Sequence, residues 1–130
     1  VRFLGLRDGA LQGGPARVLR GAVQRAGRID LLVGPAGDDA HPDHRWVSAV
    51  LATVPARRRL AYRIWPPRRI AAGRASWFKA AGGHAAKRSL IGTYRTQLGA
   101  IRDDPTGFAI ARHELAAFAH PVERFTEVRR

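Results

Sequence analysis

Short apolar runs alternate along this chain with stretches whose apolar residues recur at helical spacing. Arg2 to Leu6 reads as a strand, and the Gly5, Gly9 and Gly13-Gly14 spacing behind it reads as loop. Pro15 suits the first position of a helix, in which Val18, Leu19, Ala22, Val23 and Ala26 share one face until Gly27 stops it. Ile29 to Val33 is short, nearly all apolar and bounded by Gly34-Pro35, the pattern of a strand buried on both faces. Strand, helix and strand together predict a βαβ unit. Val47, Val50, Leu51 and Val54 then fall at i, i+3, i+4 and i+7, a second helix closed by Pro55. Leu60, Tyr62 and Ile64 alternate, so Arg59 to Trp65 is a third strand, ended by Pro66-Pro67.

The second half of the chain is less regular. Ser76-Trp77-Phe78 suits a short strand and Gly82-Gly83 a break. From His84 onward Leu90, Ile91, Tyr94 and Leu98 predict a helix that Gly99 stops. Asp103 to Gly107 reads as loop, Ala111 to Ala119 as a short helix and Val122 to Val128 as a last strand. Alternating strands and helices with buried strands predict one α/β domain over 1–130, a three-layer sandwich around a mostly parallel sheet. No G-x-G-x-x-G follows a strand, so a dinucleotide is not expected.

Composition narrows the chemistry. At 130 residues the chain suits one core rather than two. It has no cysteine, so disulfides and thiolate ligands are excluded and any metal must be held by His, Asp or Glu. No apolar run approaches the roughly 18 to 20 residues that cross a bilayer, and no basic-then-apolar leader precedes the first strand, so a cytoplasmic location without membrane contact is expected. The formal net charge is +13, which raises nucleic acid or an anionic surface as a partner. Arginine supplies nearly all of it, 21 Arg against 2 Lys, beside abundant Ala, Gly and Pro, a bias that GC-rich coding produces without selection for phosphate. Only Arg57-Arg58-Arg59 and Arg68-Arg69 are clustered, and no aromatics are interleaved as stacking platforms, so specific nucleic-acid binding is not expected.

One tetrad stands apart. His41-Pro42-Asp43-His44 lies where the second strand hands over to a helix. In open α/β sheets ligands gather there, in a crevice rimmed by helix N-termini. With Pro42 as the first helical residue, His41 stands at the cap and His44 one turn on, so both rings can address the same small volume. Neutral imidazole ligates zinc well, but the residues alone leave open which ring does so. The plain alternative is a surface helix start, with Asp43 favoured in the first turn by the helix dipole. His84, His113 and His120 are isolated and read as surface or packing residues, Tyr94 as core, and Trp46, Trp65 and Trp77 as packing residues.

The wording Gly37-Asp38-Asp39-Ala40-His41-Pro42-Asp43-His44-Arg45 resembles the second motif of the PIG-L/LmbE-like family of zinc-dependent deacetylases. Three further stretches resemble that family in the same order: Arg2 to Gly9, Lys87 to Leu98, and Phe118-Ala119-His120-Pro121 ahead of Phe125. The resemblance implies a Rossmann-like fold and removal of acetyl from an N-acetylated amino sugar or its conjugate. It implies that His44 is a zinc ligand, that His41 stabilises the oxyanion, and that Asp43 is hydrogen-bonded to His41. A carboxylate beside an imidazole favours its charged, donating form, which makes that pairing coherent. Arg7 and Asp8 correspond to a stretch near the substrate. Asp39 stands where some members carry an oxyanion-binding Tyr, and an ionised carboxylate cannot take that role.

Members of the family open with a His-Pro-Asp-Asp-Glu type loop that supplies two metal ligands and the general base. Nothing here matches it, so the expectation is a domain lacking its N-terminal third, with weak zinc affinity and no turnover of its own. A sugar deacetylase missing its first motif is thus one functional class. The other is a non-catalytic basic module that binds anions or nucleic acid through Arg57-Arg58-Arg59 and Arg68-Arg69. Oligomeric state is not written in the sequence.

Overall fold

The computed structural model of the chain describes residues 3–67, 75–79, 82–101, 103 and 109–128. It is a mixed α/β structure with four helices and a four-stranded sheet of order β1-β2-β4-β3. The strands are β1 (Leu31–Pro35), β2 (Arg58–Tyr62), β3 (Ala75–Lys79) and β4 (Val122–Glu127). The helices are α1 (Ala16–Gln24), α2 (Pro42–Ala52), α3 (Gly83–Gly92) and α4 (Arg112–Phe118). The chain separates into two compact units, Val1–Ser76 with Phe125–Arg130, and Trp77–Arg124.

The first unit is built on a parallel crossover. β1 and β2 pair in parallel with Leu31 opposite Arg58 and Pro35 opposite Tyr62, and α2 joins them. The βαβ unit therefore lies one element later than the pattern predicted. Phe3 to Arg7 forms no strand: Gly5 has φ +65, which interrupts any extended path, and Phe3 is 91% exposed. The sheet is also not mostly parallel. β4 pairs antiparallel with β2, Leu60 facing Glu127 and Ala61 facing Thr126, because the chain returns beside β2 from the opposite direction.

α1 and α2 start and stop where local chemistry directs. Pro15 caps α1 in extended conformation, and Gly27, at φ +76, takes the left-handed turn that ends it. α2 opens on His41 as cap with Pro42 in the first turn, where its missing N–H costs nothing. Thr53 closes it, its Oγ1 donating to the Val50 carbonyl at 2.7 Å, and Pro55 follows. α2 delivers Val50 to the interior and the turn after it delivers Val54, where they join Ala36 and Leu60 as buried apolar residues of this unit. Gly34 lets α2 approach closely, since a Cβ there would lie 2.6 Å from Leu51 Cδ1. The opposite side of β1 is open, with Leu31 and Val33 exposed, so this strand is covered on one face and not on both as its apolar run predicted.

In the second unit, α3 ends at Gly92 instead of continuing to Leu98. Leu98 instead forms an isolated antiparallel bridge with Ala109, and Gly99 turns at φ +85. Tyr94, expected in the core, is 55% exposed for the same reason: it lies past the helix end. Glu114 accepts from the Ala111 N–H and so satisfies a free donor at the start of α4. Trp77 is exposed on β3, with the Arg124 guanidinium 4.9 Å from its ring centroid. His84 and His113 are exposed, and His120 Nδ1 accepts from the Val122 N–H. Arg68-Arg69 and 104–108 lie outside the described residues. Among the described residues no helix is long and apolar enough to cross a membrane.

Leu60, 5% exposed, is the strand residue that meets this small core. Leu60→Ala is expected to lower unfolding free energy by about 2–5 kcal/mol in chemical denaturation. A loss below about 1 kcal/mol would show that the site collapses freely and is not a packed core.

Candidate active site

The tetrad sits at the exit of β1, beside the exit of its parallel neighbour. Two backbone bonds hold the exits together: Ala36 N–H donates to the Tyr62 carbonyl at 2.7 Å, and Ala40 N–H to the Trp65 carbonyl at 2.9 Å. The loop between them turns through the Asp39 N–H, which donates to the Ala36 carbonyl. Arg63 adds an outer fastening, donating to the Asp38 carbonyl at 2.7 Å and pairing with the Asp38 carboxylate. The strand exits and the start of α2 thus meet at one place, the geometry in which α/β folds collect ligands.

Asp39 lies at the centre of that place and is 1% exposed. Its Oδ1 accepts from the His41 N–H at 3.0 Å and lies 2.9 Å from His44 Nδ1. Its Oδ2 accepts from the N–H groups of Ile64 at 2.8 Å and Trp65 at 2.9 Å. Burial pushes this carboxyl up, but the donors from Trp65, His41, His44 and Ile64 together outweigh it and hold its pKa below the ordinary 3.8. Asp39 is therefore ionised at neutral pH. Its charge, after burial itself, also helps push the Tyr62 hydroxyl up.

The ring protons follow from these partners. An ionised carboxylate can only accept, so the His44 nitrogen facing Asp39 must be the donor. In the neutral ring His44 then carries its hydrogen on Nδ1 and its lone pair on Nε2. His41 is arranged the other way: its Nδ1 accepts from the Asp43 N–H at 3.2 Å, capping α2, which leaves the hydrogen on Nε2. The two ring centroids are 4.6 Å apart and the planes are tilted by 35°. With both rings neutral, the site thus holds one imidazole with a bare Nε2 and one with an Nε2–H.

Asp43 is buried, 4% exposed, and its carboxylate does something the sequence did not suggest. Oδ2 accepts from the Gly9 N–H at 2.7 Å and Oδ1 from the Leu11 N–H at 3.0 Å. It meets His41 through its backbone N–H and not through its carboxylate. The acid thereby moors the N-terminal loop to the start of α2, and brings the turn carrying the exposed Arg7 and Asp8 beside the tetrad. His41, Asp43, His44 and the Arg7-Asp8 turn are all gathered at this one corner. Asp39 is the residue at this corner to which the sequence assigns no role, since an ionised carboxylate cannot donate to an oxyanion. An Asp two residues before a helix cap, able to accept from the cap's own N–H, was the local signal that could have found it.

Zinc would find one well-presented donor here, the bare Nε2 of His44. Among the described residues no group of three or more His, Asp or Glu side chains is placed to hold a metal ion. The donor set therefore fits one corner of a zinc site and does not complete it. No protein-family model, curated protein or solved structure matches the chain.

Two outcomes are expected. A carboxyl whose folded pKa lies below 3.8 stabilises the fold above that value and loses the contribution as pH falls through the folded value. From about pH 5 to about pH 2 the thermal midpoint should therefore fall more steeply for the native chain than for Asp39→Asn; parallel slopes would contradict the inward-facing charge. Asp43→Ala should cost about 1–3 kcal/mol and speed hydrogen exchange at Gly9 and Leu11. Unaltered exchange at those two amides would contradict the mooring.

Proposed function

We propose that the chain carries part of the active site of a zinc-dependent hydrolase that removes acetyl from an N-acetylated amino sugar or its conjugate. The observation that carries this reading is that two neighbouring imidazoles at the exit of a parallel strand set their Nδ1 atoms against opposite partners, a carboxylate for His44 and a backbone N–H for His41. Hydrolysis of an amide at a metal needs a ligand nitrogen free of hydrogen and, next to it, a donor for the oxyanion of the tetrahedral intermediate. His44 Nε2 meets the first requirement and His41 Nε2–H the second, in agreement with the roles that the motif's resemblance to the PIG-L/LmbE-like family implies. The β1-α2-β2 crossover is the piece of a Rossmann-like sheet that this reading requires.

In this reading His44 holds the metal, with its remaining donors and the general base lying outside the described residues. Bound zinc would supply a polarised water and Lewis acidity. His41 donates to the carbonyl oxygen of the N-acetyl group as negative charge develops there. Asp43 acts on that chemistry through position: its backbone N–H fixes the His41 ring and its carboxylate holds the Gly9-Leu11 loop. Arg7 and Asp8, exposed on the turn so held, face solvent with groups that can bond sugar hydroxyls.

The basic-module alternative draws on a triplet that is partly occupied. Arg59 is buried and donates to the Val54 carbonyl, while Arg58 pairs with Glu127 at 3.3 Å. Arg57 lies 4.0 Å from the Asp30 carboxylate.

The test is acetate release from N-acetylated amino sugars by the complete encoded enzyme. His44→Ala should abolish it, and His41→Ala should lower kcat by about 10²–10³-fold, the usual cost of losing one oxyanion donor. Undiminished release by His44→Ala would remove the proposal. The 130 residues alone should bind zinc weakly, because one imidazole falls short of the three protein ligands of a catalytic site. Tight stoichiometric binding in calorimetry would contradict that ligand assignment.

A further inference from the structure

We infer that Asp39 is the positioning residue that decides which nitrogen His44 offers to a metal, an assignment that rests on the hydrolase reading for its purpose but not for its geometry. A histidine side chain free in water favours the tautomer with hydrogen on Nε2. That tautomer would put the hydrogen on Nε2 and leave a lone pair on Nδ1 facing the Asp39 carboxylate. Asp39 reverses the preference: its Oδ1 sits 2.9 Å from His44 Nδ1 and can only accept. Carboxylates behind metal-binding imidazoles act in this way, fixing both tautomer and ring orientation.

The carboxylate is itself held in place. Oδ2 is occupied by two N–H groups from the stretch that follows β2, and Oδ1 also accepts from the cap of α2. Rotation of the Asp39 side chain would break all of these bonds inside a site that is 1% exposed. Arg45 secures the loop from outside, its guanidinium donating to the Asp39 carbonyl at 2.9 Å and the Ala40 carbonyl at 2.7 Å. The ring of His44 is thus aimed by a group whose own orientation is set by backbone from β2's exit.

Asparagine at this position separates aiming from mere packing. Its carbonyl oxygen suits the site of Oδ2, where two N–H groups need an acceptor against the single His41 N–H at Oδ1, so its NH₂ turns toward His44 Nδ1. That ring must then accept, and its hydrogen moves to Nε2. The experiment is ¹⁵N long-range NMR of the imidazole nitrogens in the ¹⁵N-labelled 130-residue chain, at a pH where the rings are neutral. In the native chain His44 is expected as the Nδ1–H tautomer and His41 as Nε2–H; in Asp39→Asn, His44 switches to Nε2–H while the backbone spectrum stays dispersed. A native His44 in the Nε2–H form would overturn the assignment, as would a folded Asp39→Asn chain that keeps Nδ1–H. Should the variant not fold, the native spectrum alone decides. If the tautomers are as stated but acetate release is indifferent to His44→Ala, the hydrolase reading falls and the role of Asp39 in setting the ring stands.

Discussion

A single buried carboxylate organises the corner of the molecule where its chemistry is gathered. Asp39 brings three backbone donors and one imidazole to two oxygens, and those donors come from the start of α2 and from the stretch after β2. Leaving such a charge without partners in the interior would be strongly unfavourable, so the bonds form together or the loop does not adopt this shape. The consequences reach outward. Fixing the loop fixes where α2 begins, and that sets which residues cap it. The cap in turn sets the state of the His41 ring.

Two acids in this corner divide the work, with different targets. Asp39 points inward and controls a side chain, whereas Asp43 reaches along the helix start to two amides of the N-terminal loop. Both carboxylates are acceptors for backbone N–H groups, which satisfies two buried acids in a strongly basic chain. The arginines act elsewhere. Arg63 braces the Asp38 carbonyl at the strand exits, Arg59 the Val54 carbonyl ahead of β2, and Arg58 ties β2 to β4 across the sheet.

Legibility of the sequence followed the range of the forces involved. The start of α2 was readable because Pro42, Asp43 and a cap residue act within one turn, and the strands expected at 29–33, 59–65 and 122–128 form at 31–35, 58–62 and 122–127 because apolar and alternating runs favour a sheet wherever it forms. Strand direction was not readable, since β4 runs antiparallel to β2 through pairing between residues about as far apart in sequence as Leu60 and Glu127. The run from Phe3 failed as a strand because it bends at Gly5. Tyr94 continued a helical period that the backbone had already left at Gly92. His41 and His44 were recognisable as a pair, but which one could serve as a ligand depended on Asp39, whose effect requires backbone from Ile64 and Trp65 to hold it.

The claim on which this account turns is that two adjacent histidines carry their hydrogens on opposite nitrogens. Neutron diffraction from a deuterated crystal of the chain reads that directly. Deuterium on His44 Nδ1 facing Asp39, with His41 bearing it on Nε2, is the expected result. Deuterium on Nε2 of both rings would contradict the account at its root.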